Sequence, residues 1–418
     1  MTSRRRATRP APSGKSRPRV VIVGAGFAGL AAAQHLDGRY DVTVIDRSPW
    51  FEWLPNIHEL LSGVKRPADL RLPRARLVKR AGHRFVRAEV VRIDAPARVV
   101  VTSRGRRLPF DTCIVAVGGV DETFGVPGAD RHAMPFKSVD DCAEIGRRLA
   151  ALANRRGKRS VVIVGGGFEG IEALGEILRR YGDCQGMTVS LVEAGPRLMP
   201  GSPLAIDRAI RRHSARHDVR CITGTRVTKV TPTRVHVEGR KPLHSDLTIW
   251  TGGVKAPPLL RESGLVDREG QWAPVTQALR SKRFDNVFVI GDAAGLPHPL
   301  GKQAYYALQM GVCAAGNVER TLAGRRLRDF RPSAKGMLVA FGALDTFLIA
   351  GRSVIASPAL AAAKEAVFQV TMTQLDPPLG GGALNDAARR LVGLARGRLL
   401  SPSPRRGSAR GRKDLRSS

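Results

Sequence analysis

Two glycine-rich loops of the same design, 141 residues apart, limit what this chain can fold into. The first, Gly24-Ala25-Gly26-Phe27-Ala28-Gly29, follows the β-branched run Arg19–Val23 and leads into a helical pattern over Ala31–Leu36. The second, Gly165-Gly166-Gly167-Phe168-Glu169-Gly170, follows Arg159–Val164 and leads into a helical pattern near Ile171–Arg180. A strand, a G-x-G-x-x-G turn and a helix open a dinucleotide-binding βαβ unit. The first glycine permits the tight turn, the second lets the backbone approach a diphosphate, and the third lets the helix pack closely. The diphosphate rests on the helix N-terminus, where free N–H groups and the helix dipole favour an anion. An acid closes the next strand of each unit, Asp46 after Val42–Ile45 and Glu193 after Thr188–Val192, placed to accept from a ribose hydroxyl. One repeat at so long an interval means two dinucleotide folds in one chain, not a solenoid.

Composition narrows the setting. At roughly 150 residues per domain, 418 residues make two or three domains. A hydrophobic share of 43% and a charged share of 25% exclude a wholly disordered chain. The five cysteines (113, 142, 184, 221 and 313) show no CxxC spacing, which excludes a disulfide framework or zinc site and fits a reducing compartment. No metal site is expected. The longest apolar stretch, around Val354–Ala363, falls short of the ~20 residues a membrane span needs, and no signal-peptide core is visible. The expectation is a soluble or surface-bound cytoplasmic protein. Its net charge is +33, of which residues 1–19 supply +7 and residues 401–418 supply +5. No aromatics interleave with basic residues to make a base-stacking platform, so nucleic acid is not the expected partner. The charge suits an anionic membrane surface or a plain solvated face.

Along the chain the expected architecture is α/β, with two Rossmann-like parallel-sheet domains, the second inserted in the first, and a small C-terminal α+β domain. Residues 1–18 read as a disordered basic tail, 19–130 and 253–328 as the two parts of the first dinucleotide domain, and 131–252 as the inserted one. Strands are expected at Val99–Val101, Cys113–Val117 and Asn286–Ile290, with a helix from about Gln303 to Thr321. Residues 329–400 read as a C-terminal domain with strands at Gly336–Phe341 and Phe347–Ile349, then two helical segments; residues 401–418 form a second disordered basic tail. In the last helical segment Leu384, Ala388, Leu391, Ala395 and Leu399 share one face among arginines. That basic amphipathic pattern suits an anionic interface or a cover over the first domain.

Two dinucleotide folds imply two dinucleotides, most simply FAD in the first and a nicotinamide in the second. Glu193 repels a 2′-phosphate, so NADH is expected over NADPH, although the Arg197 guanidinium four residues on would tolerate a phosphate.

The sequence resembles the two-dinucleotide-binding flavoproteins and, within them, the type II NADH:quinone oxidoreductases. The likeness covers roughly residues 19–355. It is carried by DRSPWFEWLPNIHELLSG (46–63), FDTCIVAVGG (110–119), GGGFEGIEALGE (165–176), TIWTGGVKAPPLL (248–260) and NVFVIGDAA (286–294). It implies that Gly24, Gly26, Gly29, Asp46, Arg47, Gly118 and Asp292 hold FAD, with Asp292 on the ribityl chain. It further implies that Gly165, Gly167, Gly170 and Glu193 hold the nicotinamide dinucleotide. Glu172 would relay a proton to the reduced flavin or the quinone, and Lys302 would stabilise the anionic reduced ring. The family's Ala-Gln-x-Ala-x-Gln-Gln-Gly stretch reads Ala304-Tyr305-Tyr306-Ala307-Leu308-Gln309-Met310-Gly311 here, so Gln309 alone of three glutamines remains. Glu169 replaces an expected small residue and alters the nicotinamide's surroundings. The CxxxxC pair of disulfide reductases is missing, since no cysteine precedes 113, and no cysteine stands by the second loop as in sulfide:quinone reductases.

The implied reaction is hydride transfer from NADH to FAD and electron transfer onward to a quinone, catalysed peripherally on the inner face of the cell membrane, with a homodimer left open. Two alternatives stay open: a flavoprotein reductase with a soluble acceptor, such as oxygen or ferredoxin, and a flavin-bearing binding protein.

Overall fold

The computed structural model describes residues 16–333 and 336–377. The run Arg19–Val23 is buried at every position after Arg19 and forms the centre of a five-stranded sheet. Its strands lie in the order Val287–Val289, Thr112–Val115, Arg19–Val23, Asp41–Asp46, Arg84–Arg87, and all pair in parallel. An unbroken β-branched run can be buried on both faces, which a parallel strand covered by helices requires. The second sheet repeats the design with Met134–Pro135, Leu247–Trp250, Arg159–Val164, Met187–Val192 and Val219–Ile222, again all parallel. Every strand of the second sheet falls in sequence between Thr112–Val115 and Val287–Val289 of the first, so the second fold is inserted in the first.

Helices Phe27–His35 and Phe168–Tyr181 follow the two loops, each starting at the phenylalanine after the second loop glycine. The helix Ala304–Leu322 lies against Phe27–His35 at backbone contact: a side chain at Gly311 would meet the Ala28 carbonyl oxygen at 2.3 Å. Among the described residues, three three-stranded antiparallel ribbons, Val90–Pro109, Val227–His244 and Met337–Ala356, and smaller two-stranded pairings accompany these sheets. Only parts of these were expected, because two- to six-residue hairpin strands carry little alternation to read. The last ribbon packs on the helix Phe168–Tyr181, where Gly175 and Gly342 meet backbone to backbone.

The described residues from Lys364 onward belong to a second unit and are helical through Leu375. The expected helix over Leu384–Leu399 and the basic tail at 401–418 lie outside the described residues, as do residues 1–15. Among the described residues no helix is long and apolar enough to cross a membrane.

Candidate functional site

The two loops share one construction. Gly24 has φ +97° and a side chain there would strike the Ala116 carbonyl oxygen at 2.3 Å; Gly165 has φ +108° and would strike Thr251 Oγ1 at 2.6 Å. At Gly29 and Gly170 an added carbon would meet the preceding turn's carbonyl oxygen at 1.9 Å. Gly26 and Gly167 differ: nothing lies within 4 Å of an added carbon, so these glycines border open space at the helix N-terminus. Packed glycines at the first and third positions and an open one between them leave a cradle for a diphosphate in both folds. Gly118, with φ +67°, also borders open space beyond the strand Thr112–Val115. Thr251, which sequence reasoning did not single out, donates to the carbonyls of Val164 and Gly165 (2.9 and 3.1 Å) and ties the second loop to the neighbouring strand.

Both strand-end acids brace their loops. Asp46 accepts from the Ala25 N–H at 2.8 Å, the Ser48 N–H at 2.9 Å and Arg74 at 2.6 Å. Arg47 stays exposed at the surface, and Arg74 is the cation that reaches the first loop, donating also to the Ala25 carbonyl at 3.0 Å. No local motif marks Arg74; only the fold brings it 28 residues back along the chain to Asp46. Glu193 accepts from the Gly166 and Gly195 N–H groups, each at 2.6 Å. Arg197 donates to the carbonyls of Met199 (3.3 Å) and Pro200 (2.7 Å), so its guanidinium is engaged by backbone.

The second half of the first site arrives through a turn. Gly291, at φ +66°, lies so close to the first loop's helix that an added carbon would meet Ala28 Cβ at 3.2 Å, and this approach carries Asp292 there. Burial raises the Asp292 pKa, opposed by the nearby charges of Lys302 and Lys137. Lys302 precedes the helix Ala304–Leu322 by two residues. Its ammonium sits 3.9 Å from the Trp272 ring centroid and donates to the Asp292 and Ala294 carbonyls at 2.6 and 3.3 Å. Partial removal from water lowers its pKa, with Asp292 acting the other way. Trp272, Asp292, Lys302, Tyr306 and Met310 line a cavity of about 160 Å³. Gln309 accepts from the Ser333 N–H at 3.0 Å and its hydroxyl at 3.2 Å. Trp53 is buried, edge-on to Phe27 at 5.3 Å, while Trp50 is exposed.

Glu172 occupies a seam between three segments. Its Oε2 lies 3.5 Å from Nδ1 of His58, which is buried, and its Oε1 accepts from the Ala340 N–H at 3.2 Å. With 15% of the side chain exposed, it is not a solvent-facing helix carboxylate. One turn on, buried Glu176 accepts from the Ser62 hydroxyl, and burial raises its pKa. His213 and His217 do not form a pair: His213 faces Asp345 at 3.8 Å, and His217, beyond the helix end, meets the Gly182 carbonyl at 3.2 Å. Burial pushes the Cys313 thiol up to about 11 and raises that of Cys142 well above its usual range, so neither is poised as a thiolate.

Two braced diphosphate cradles on two parallel sheets, one sheet inserted in the other, define a two-dinucleotide oxidoreductase. The chain belongs to the pyridine nucleotide-disulphide oxidoreductase family, which matches residues 18–311. It is 29% identical over 367 residues to the type II NADH:quinone oxidoreductase of Staphylococcus aureus, covering 79% of this chain and 89% of that one. Solved structures share the fold. NDH2 from Plasmodium falciparum in complex with NADH has a TM-score of 0.77 at 16% identity, covering 85% of this chain and 95% of that one. The sulfide:quinone oxidoreductase of Aquifex aeolicus has a TM-score of 0.79 at 18% identity, covering 92% and 96%.

Proposed function

We propose that this chain is an FAD-dependent NADH dehydrogenase that passes electrons to a quinone. The observation that carries the reading is the pair of diphosphate cradles in one chain, each braced by a strand-end acid. The relative from Staphylococcus aureus, matched over most of both chains, supports the same acceptor class. Gly24–Gly29, Asp46, Gly118 and Asp292 would hold FAD, and Gly165–Gly170 with Glu193 would hold NADH. FAD, when bound, supplies the hydride acceptor and the two-electron store.

The chain's own residues do the rest. Helix N-termini neutralise the diphosphates, and the Asp292 carboxylate accepts from a cofactor hydroxyl. Lys302 sets a positive charge beside the cavity. Glu172, held between His58 and the Ala340 N–H and partly exposed, would exchange a proton with solvent and relay it to the reduced flavin or the quinone. Glu193 on the second loop, with Arg197 engaged elsewhere, favours NADH. The protein works peripherally at an anionic membrane surface, where a quinone with an apolar tail resides.

A second reading keeps the NADH-reduced flavin and uses a soluble acceptor. It is favoured by Gln309, whose oxygen is engaged by Ser333. Purified protein should be yellow, release FAD, bleach with NADH, and turn over fastest with quinones in the presence of anionic lipid. Bleaching with no gain from quinone would leave the soluble acceptor, and no bleaching would leave a flavin-bearing binding protein.

A further inference from the structure

The two loops differ at two positions: a neutral exchange of Ala25 for Gly166, and a charged one before the third glycine, which is Ala28 in the first and Glu169 in the second. Glu169 is the second residue of the helix Phe168–Tyr181 and the one acid of its first turn; the first turn of Phe27–His35 has none. An acid there favours the helix by itself, yet it sets a negative charge in the field that a diphosphate needs. Lys137 answers it. Its Nζ lies 2.6 Å from both Glu169 oxygens, in a contact where the side chains are 24% and 37% exposed. Lys137 stands two residues past the edge strand Met134–Pro135, at the carboxyl end of the second sheet, where ligands of such sheets bind. Its charge also acts on the carboxyls of Asp292 and Asp121, opposing the rise that burial causes in each.

We infer that Lys137 is a positioning residue for nicotinamide-dinucleotide binding, cancelling and orienting the Glu169 carboxylate so that the second loop accepts a diphosphate. The inference rests on the NADH reading above and adds to it a charge balance that the loop motif does not contain. Without Lys137, the carboxylate at the helix start repels the incoming anion. Without both, the loop reverts to the neutral form of the first one, which has Ala28 at this position.

The test is NAD+ binding to the flavin-loaded protein, followed by titration calorimetry, with flavin content and melting temperature as controls. Lys137→Met should weaken NAD+ binding about tenfold, and the double variant Lys137→Met/Glu169→Gln should return to within about threefold of the parent. Glu169→Gln alone and Lys137→Arg should both stay within about threefold. Lys137→Gln replaces the Met variant if that protein does not retain flavin. Parent-like binding by the single lysine variant overturns the inference, and so does a double variant as weak as the single, which would mean Lys137 acts on the ligand by itself. A parent protein that binds no NAD+ at all would overturn the NADH reading itself, a result distinct from both.

Discussion

Asp292 shows how one carboxylate can serve the cofactor at a cost to the empty protein. Burial raises its pKa, so the flavin-free fold holds the proton more tightly than the unfolded chain does. A carboxyl with a raised folded-state pKa adds stability that is complete below its ordinary value of 3.8 and lost as pH rises through the raised one. Flavin-free Asp292→Asn should therefore melt with the parent near pH 3.8 and above it at neutral pH. The same variant should lose FAD on gentle purification, because the cofactor hydroxyl loses a charge-assisted partner. Retained FAD with parent-like melting at all pH values would remove Asp292 from the site. Glu193 gives a second residue-level outcome. The parent should prefer NADH over NADPH by roughly tenfold or more, from ~1–3 kcal/mol for a charge-assisted contact. Glu193→Ala should narrow that ratio while weakening both cofactors, since the loop loses the acceptor of two N–H groups. Equal kcat/KM for the two nucleotides in the parent would show that Arg197 leaves its backbone partners.

At the scale of elements, the decisive feature is how closely helices and sheets approach. Helix Phe168–Tyr181 meets the ribbon Met337–Ala356 through Gly175 and Gly342, and that contact delivers the Ala340 N–H to Glu172. Helix propensity alone makes Gly175→Ala stabilising by about 1 kcal/mol. The added carbon would lie 2.4 Å from the Gly342 nitrogen and 2.5 Å from the Phe341 carbonyl carbon, so the contact reverses the sign. Overpacking of this kind costs ~1–3 kcal/mol, and the melting temperature should fall by a few degrees. Scanning calorimetry decides it; an unchanged or higher melting temperature would mean that the ribbon yields. A slower turnover with unchanged NADH bleaching in the same variant would tie the ribbon to Glu172.

For the whole molecule the open question is where it works. Its charge of +33 and the Leu384/Leu391/Leu399 face predict reversible binding to anionic lipid, each Lys or Arg near the surface adding up to about 1 kcal/mol. Co-sedimentation with phosphatidylserine-rich vesicles should be strong at low salt, weak at high salt, and lost in a chain ending at Asp376. Equal binding by the shortened chain would move the docking face to the first 376 residues, and no binding at low salt would favour the soluble acceptor.

Much of the site is legible because dinucleotide loops are local: turn, helix start and strand-end acid lie within one βαβ unit, and steric limits on glycine leave little choice of residue. Gly24–Gly29, Gly165–Gly170, Asp46, Glu193 and the two parallel sheets follow from such short-range rules. Asp292 was readable from a family likeness, but its route to the first loop depends on a turn packed against Ala28. Arg74 and Lys137 lie outside those motifs, and Thr251 and His58, though inside family-like stretches, carry no local sign of what they brace. They reach the site across 28 to 114 positions from Asp46, Gly165, Glu169 and Glu172. Their roles come from charge and hydrogen-bonding demands created only when the segments pack: a buried carboxylate takes whichever donor the fold brings within reach. Two dinucleotide cradles follow from local sequence, whereas the residues that brace them follow from packing, because local sterics act within a turn and burial acts between distant segments.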